Sequence, residues 1–190
     1  MTIHPITILG DPVLHQRAAR VENFDDQLRT LIADMFETMD AANGVGLAAP
    51  QIGVALRIFT YHLENDDDVP DRGVLVNPSL MPGKISGKAP DPDEEVEGCL
   101  SVPGANFPLK RAEWVRVSGF DGQGQRLEFE ATGWFARCMQ HEYDHLDGRL
   151  YVDRLNERYK RKAKRTARDR GWGVPGLTWL PGVDADPFGH

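Results

Sequence analysis

The sequence predicts an α+β fold, and three observations lead there. Apolar residues recur at helical spacing over 24–42, strand-like segments follow between about 56 and 130, and two further helical stretches occupy 134–147 and roughly 153–170. No internal repeat and no linker divides the chain. The expected organisation is a single domain over residues 1–170 and a Gly/Pro/Trp-rich tail over 171–190.

Each element has a local reason. Asp11-Pro12 starts a short helix, with aspartate as cap and proline in the first turn. Phe24, Leu28, Leu31, Ile32, Met35, Phe36 and Met39 lie on one side of the first long helix, with Asp25 as its N-cap and Asn43-Gly44 as its stop. Past the glycine-rich stretch 44–53, residues 56–61 and 73–76 are rich in strand formers. Residues 81–97, with three prolines and five acids, read as an exposed loop. Trp114–Val117 and Arg126–Glu130 alternate around Asp121-Gly122-Gln123-Gly124, a hairpin signal. The helix over 134–147 ends at Gly148, and the last one before Gly171. Glycine and proline in the tail predict neither helix nor strand there, with Trp172, Trp179 and Phe188 available to pin it to the surface.

Composition narrows the class of protein. The chain has 190 residues, 41% of them hydrophobic, and a net charge of −7, which suits an ordinary globular protein. The N-terminus lacks the layout of a signal peptide, no apolar run is long enough to span a bilayer, and two cysteines make no disulfide scaffold, so a cytoplasmic location is expected. Charge is unevenly spread: residues 154–170 hold nine Lys and Arg against Glu157 and Asp169, a balance of +7 that leaves −14 on the rest. Such a segment is either a solvated helix face or a contact with an anionic partner.

The strongest chemical signal is Gln140-His141-Glu142-Tyr143-Asp144-His145. On a helix, His141 and His145 project from one face and can grip one metal ion, with Glu142 placed to take a proton from a water that the ion activates. A catalytic site of this kind wants a third protein ligand. One known extended pattern puts a histidine where Tyr151 stands; another wants a glutamate on a later helix, for which Glu157 in the basic segment is a poor match. Cys138 lies about 10 Å along the helix from His145, too far to share the ion. Cys99, in Glu97-Gly98-Cys99-Leu100-Ser101-Val102-Pro103-Gly104, sits beside a glycine in a loop that can approach from another direction, which implies a Cys/His/His site with one open position.

Gly44, Gly46 and Ala49, with Glu64 twenty residues on from Gly44, imitate a dinucleotide fingerprint. The context refuses it, because a helix rather than a strand precedes these glycines and Pro50 and Gly53 interrupt any following helix. The stretch Gly44–Gly53 is either a bent loop whose backbone and Gln51 amide face a ligand or a plain helix-to-strand turn.

Together GVGLAAPQIG (44–53), EGCLSVPG (97–104) and QHEYDHLDG (140–148) resemble the three signature motifs of the peptide deformylases, in order and at similar separations. The helix and strand pattern is similar from residue 1 to about 170, and the tail resembles that of the actinobacterial branch. The resemblance implies antiparallel β-sheets packed around a central helix carrying HExxH, with an N-terminal helix and a C-terminal basic helix. It implies removal of the N-formyl group from the initiator methionine of nascent peptides, releasing formate. It makes Cys99, His141 and His145 the metal ligands, Glu142 the acid/base residue, and Gln51 with the Leu100 backbone N–H the oxyanion donors. The implied native ion is Fe2+, which Zn2+, Ni2+ or Co2+ can replace. Val45, Trp134 and Cys138 are expected to line the methionine pocket, and the loops at Gly44, Gly46 and Gly104 to bind the peptide backbone. Many family members carry an arginine where this chain has Asn106, which leaves open whether Arg111 contacts the peptide instead.

The same reading gives the basic helix a partner. Leu155, Tyr159, Ala163 and Ala167 form a narrow apolar stripe that docks it on the body, leaving its cations toward the ribosome; no DNA or membrane partner is expected. Two other functions fit the motif alone: a zincin-like metalloendopeptidase, and a binding module whose closed structural site recruits Cys138 beside Cys99.

Overall fold

The computed structural model describes residues 2–63, 72–185 and 188. In chain order its elements are β1 (Ile6–Thr7), a 3-10 turn at Pro12–His15, α1 (Asp26–Ala41), β2 (Gly46–Ala48), a 3-10 turn at Ala49–Ile52, β3 (Ile58–His62), β4 (Arg72–Pro82), β5 (Val96–Glu97), β6 (Phe107–Pro108), β7 (Trp114–Phe120), β8 (Arg126–Thr132), α2 (Gly133–Leu146), a 3-10 turn at Tyr151–Asp153, α3 (Glu157–Asp169) and β9 (Thr178–Trp179). This is the expected α+β fold. Five strands form an antiparallel sheet in the order β2-β3-β4-β7-β8, while β1 pairs with β9 and β5 with β6, also antiparallel.

Local signals hold where the sequence was most regular. Asp25 caps α1, its carboxylate accepting from the Leu28 N–H at 3.0 Å, and Leu28, Ile32, Met35 and Met39 are buried on one face. Asn43 turns left-handed at φ 50° where the helix was expected to stop. The hairpin of β7 and β8 closes through Asp121, whose carboxylate accepts from the N–H groups of Gln123 and Gln125 at 2.8 Å each. At the end of α2, Gly148 has φ 69°, and a Cβ there would come within 2.7 Å of the Gln16 backbone, so only glycine lets the chains pass this closely.

Some boundaries move for identifiable reasons. The strand expected at 73–76 runs on to Pro82, through Pro78, because the β4–β7 register shifts between Val76 and Ser79 and a bulge tolerates proline. There Asn77 stands at φ 51° and ties itself to Val21 by two hydrogen bonds of 2.9 Å. The expected loop 81–97 gives up its last two residues to β5, and the last long helix begins at Glu157 under an Asn156 cap rather than at 153. The tail departs most: expected to hold no strand, it supplies β9, whose partner Ile6–Thr7 lies at the other end of the chain. Two residues pairing over that separation leave no periodic signal.

The core has three parts, and α2 stands among them. One unites α1, β1 and Trp179; a second lies between α2 and the five-stranded sheet; the third gathers Leu14, Cys99, Val102, Leu150 and Tyr151. Leu155 is buried in that third cluster, and Tyr159 and Ala163 of α3 pack half-buried against it. Of the expected stripe, Leu155, Tyr159 and Ala163 dock while Ala167 is not part of that cluster, and Arg158, Arg161, Lys162, Lys164, Arg165 and Arg168 are exposed.

Candidate metal centre

His141 and His145 stand one turn apart on α2, their ring centroids 5.1 Å from each other. The loop after β5 brings in Cys99, whose Sγ lies 3.3 Å from His145 Nε2. One ligand atom from each of the three residues lies within 4.8 Å of the others, and all three residues are buried. Ligand atoms around a tetrahedral divalent ion lie about 3.5 Å apart, from bond lengths of about 2.1 to 2.3 Å, so this donor set fits one ion. Cys138 is outside it: its Sγ points to the Val45 carbonyl at 3.7 Å, and burial pushes its thiol pKa well up, so it packs as a neutral group. The closed site built on two cysteines is therefore not formed among the described residues. Glu157 is exposed at the start of α3 and takes no part, and Tyr151 lies buried against His141 with its hydroxyl donating to the Ala105 carbonyl at 2.6 Å.

Behind the histidines stands a charge network that sequence reasoning missed. Glu97 of β5 lies 2.7 Å from His141 Nδ1, which leaves Nε2 as the nitrogen free for an ion. Its carboxylate also takes two bonds from Arg111, at 2.6 and 3.1 Å, and one from Arg137 at 3.0 Å. Burial alone would raise the Glu97 pKa, but Arg111 and His141 hold it well below the usual carboxylate range. Arg111 in turn reaches Asp144 at 2.6 Å, and Arg154 pairs with the same carboxylate. Arg111 thus answers the question left by Asn106: it is 7% exposed and held by two acids, so it does not face a peptide. The signal for this network was an acid two residues before the cysteine and an aspartate between the histidines, informative only once β5 and α2 are known to meet.

Glu142 projects beside the triad. It is buried, its Oε2 has no hydrogen-bond partner among the described residues, and burial pushes its pKa up to about 7 against the pull of His141 and Arg111. A Cβ at Gly46 would come 2.4 Å from Glu142 Oε1, so the glycine that opens β2 makes room for this carboxylate. Gln51, on the turn after β2, is buried with its amide aimed inward. Its Oε1 accepts from the Ala48 N–H at 2.8 Å, and its Nε2 lies 3.3 Å from Ser101 Oγ and 3.7 Å from Cys99 Sγ. Neither reading of Gly44–Gly53 gave its shape, since Gly46–Ala48 form strand β2 and Ala49–Ile52 a 3-10 turn, but Gly44, Val45, Gly46 and Gln51 do face the cluster's side of the molecule. The dinucleotide imitation has no strand-turn-helix context, and Glu64 lies outside the described residues.

A cleft of about 330 Å3 opens over the centre. Gly44, Val45, Gly46, Leu100, Trp134 and Cys138 line it together with Gln51, Cys99, His141 and Glu142. Val45 and Trp134 are exposed at its rim. Asn106 and Phe188 join the lining as well, the latter carried there by the tail. Gly104 ends the Cys99 loop outside this lining, its carbonyl 3.3 Å from Arg170.

The geometry has counterparts among known proteins. A peptide deformylase of Rhodococcus opacus is 53% identical over 194 residues, spanning 100% of this chain and 99% of that protein. One of Mycolicibacterium paratuberculosis is 54% identical over 197 residues, spanning 100% of both. The crystal structure of a peptide deformylase from Legionella pneumophila superposes with a TM-score of 0.74 at 42% identity, covering 89% of this chain and 95% of that one. The sequence model of the family described as Polypeptide deformylase matches residues 3–161, which include all three motifs and every member of the metal cluster. By fold, by cluster and by descent, the chain belongs to the polypeptide deformylase family.

Proposed function

We propose that this protein removes the N-formyl group from the N-terminal methionine of nascent peptides, and that Glu142, Gln51 and the Leu100 N–H act on the formyl group beside an ion held by Cys99, His141 and His145. The observation that carries the assignment of roles is the convergence of three metal-ligating atoms with a buried Glu142 oxygen that has no hydrogen-bond partner among the described residues, at a point where Cys99, His141 and Glu142 line one cleft. A divalent ion bound there supplies Lewis acidity toward the carbonyl and makes a water acidic enough to react near neutral pH.

The chain's own groups do the rest. Glu142 takes a proton from the attacking water and returns it to the leaving nitrogen, a task suited to a carboxyl whose pKa lies near neutrality. As the formyl oxygen gains negative charge, the Gln51 Nε2–H and the Leu100 N–H donate to it; preorganised donors of this kind are worth about 3–4 kcal/mol each. The products are formate and a free amine. Because β2 is an edge strand bordering the cleft at Gly46, an extended peptide can pair with it through its backbone, which suits substrates of varied sequence. The methionine side chain is assigned to the apolar part of the cleft between Val45, Trp134 and Cys138, with Gly44 as a further backbone contact. Gly104 lies outside the cleft and gives its carbonyl to Arg170, so it is left out of the peptide site.

Fe2+ is the proposed resident ion; one thiolate and two imidazoles also accept Zn2+, Ni2+ or Co2+. Metal analysis of protein purified without oxygen identifies it. A reducing cytoplasm suits a site that depends on a free thiolate, and both cysteines are free. For the basic segment 154–170 we propose a ribosome contact, supported by the exposure of Arg161, Lys164 and Arg165 on a helix whose other side is docked. Neutralising Lys160, Arg161, Lys164 and Arg165 is expected to abolish salt-sensitive co-sedimentation with ribosomes; unchanged co-sedimentation refutes the contact. The test of the activity is formate release from formyl-Met-Ala-Ser. Glu142→Ala is expected to keep its metal and lose turnover, and a variant that still turns over sinks the proposed mechanism.

A further inference from the structure

The metal ligands differ in how they are held. His141 and His145 ride on one helix, whereas Cys99 sits in the loop 98–104, where the backbone bonds to itself from Val102 N–H to the Cys99 carbonyl at 2.9 Å and from Ala105 N–H to the Val102 carbonyl at 3.2 Å. The next carbonyls of that loop are gripped from outside. Leu9 N–H donates to Ser101 O at 2.8 Å, the Trp179 indole Nε1–H to Leu100 O at 3.0 Å, and the Arg170 guanidinium to Pro103 O and Gly104 O. Trp179 and Arg170 both lie beyond the last residue of α3. The tail that presents the indole is itself fixed, by β1–β9 pairing, by Ile8 N–H to Leu177 O at 2.9 Å and by Gly173 N–H to Leu9 O at 3.0 Å. Trp179 is buried in the core cluster that includes α1.

We propose that Trp179 is a positioning residue for the metal centre: by fixing the Leu100 carbonyl, its indole N–H holds the Cys99–Leu100 stretch in register with His141 and His145, and the C-terminal segment thereby braces the site. A thiolate on an unbraced loop samples more positions, so an ion departs more readily and the neighbouring Leu100 N–H is less well aimed. The inference rests on Cys99 as a ligand and on the proposed role of the Leu100 N–H.

The test compares zinc-loaded wild type with Trp179→Phe, which keeps an aromatic ring in the core and removes the donor. Release of zinc to a colorimetric chelator is expected to run roughly two- to tenfold faster in the variant, the loss of one hydrogen bond, and kcat to fall with little change in KM. In cobalt-substituted protein the thiolate absorption is expected to shift or weaken. Leu177→Ala, which thins the same tail packing while leaving the indole bond, is the control: it is expected to lower Tm without faster release. Arg170→Met, at an exposed side chain gripping the other end of the loop, reads the brace without opening the core and is also expected to speed release. Wild-type release in Trp179→Phe overturns the inference whatever Arg170→Met does, as does equal acceleration in Leu177→Ala. Absence of formate release from the wild type defeats the functional reading instead, and leaves the zinc comparison standing.

Discussion

Replacing Glu97 by glutamine tests whether the buried charge network tunes the metal centre or merely fills space. The substitution changes almost no volume. It turns one carboxylate oxygen into an NH2 donor, and both oxygens are in use: Oε1 faces Arg111 Nη2 and His141, Oε2 faces Arg111 Nε and Arg137. Whichever way the amide turns, two donors meet a donor. Arg137 retains the Leu109 carbonyl at 2.9 Å and Arg111 retains Asp144, so the network is damaged rather than dissolved. Breaking one side of a buried ion pair costs about 3–5 kcal/mol, which in a chain of this length lowers Tm by roughly 10 °C. Losing the carboxylate that orients a metal-ligating histidine typically weakens affinity about 10- to 100-fold. Thermal unfolding of the metal-free protein reads the first effect and zinc competition against a chelator reads the second. Wild-type zinc affinity in a protein with a clearly lowered Tm would refute the orienting role and leave Glu97 a structural ion pair.

Gly46→Ala places a Cβ 2.4 Å from Glu142 Oε1 and must displace that carboxylate; displacement on the scale of an ångström costs about 100-fold in kcat, and formate-release kinetics with bound zinc unchanged is the expected pattern. Cys138→Ala is expected to leave the zinc stoichiometry at one per chain, since Cys138 faces Val45 and not the cluster; loss of metal by elemental analysis contradicts this. Glu95 is desolvated, which raises its pKa, yet the Lys110 ammonium at 2.7 Å brings it below the ordinary value of 4.5. A depressed folded-state pKa gives stability that is present above about pH 4.5 and lost as pH falls through the lower folded value. Lys110→Met is accordingly expected to lower stability above about pH 4.5 and to change it little near pH 3, flattening the acid side of the stability profile, measured by urea unfolding between pH 3 and 7.

What the sequence made legible was what neighbouring residues determine together. The i, i+4 histidines need one helical turn to converge, Asp25 needs Leu28 three residues on, and Asp121 needs the two N–H groups of its own turn. Cys99 was reachable by excluding the alternatives, because metal chemistry demands a third ligand. Glu97 and Arg111 were not legible in the same way. In the sequence Arg111 stays open as a peptide contact because Asn106 stands where many family members carry an arginine. An arginine is ordinarily exposed, but this one is buried since two acids, 14 residues before it and 33 after it, neutralise it. Neither distance leaves a periodic trace. The same holds for Trp179, whose hydrogen-bond partner is 79 residues away.

The three ligands therefore owe their geometry to different scales of structure. Helix α2 fixes two of them by its own hydrogen bonds, so any sequence that forms this helix reproduces their spacing. The third depends on a short loop anchored by Glu97 at its start, Leu9 and Trp179 at its middle and Arg170 at its end. Affinity for an ion is set by all three ligands at once, so the loop is the part of the site open to adjustment. A substitution near either end of the chain, far from any ligand in sequence, acts on the ion through that loop. By linkage, bound metal must then strengthen the docking of the N-terminal strand and the tail to the extent that their docking strengthens the metal.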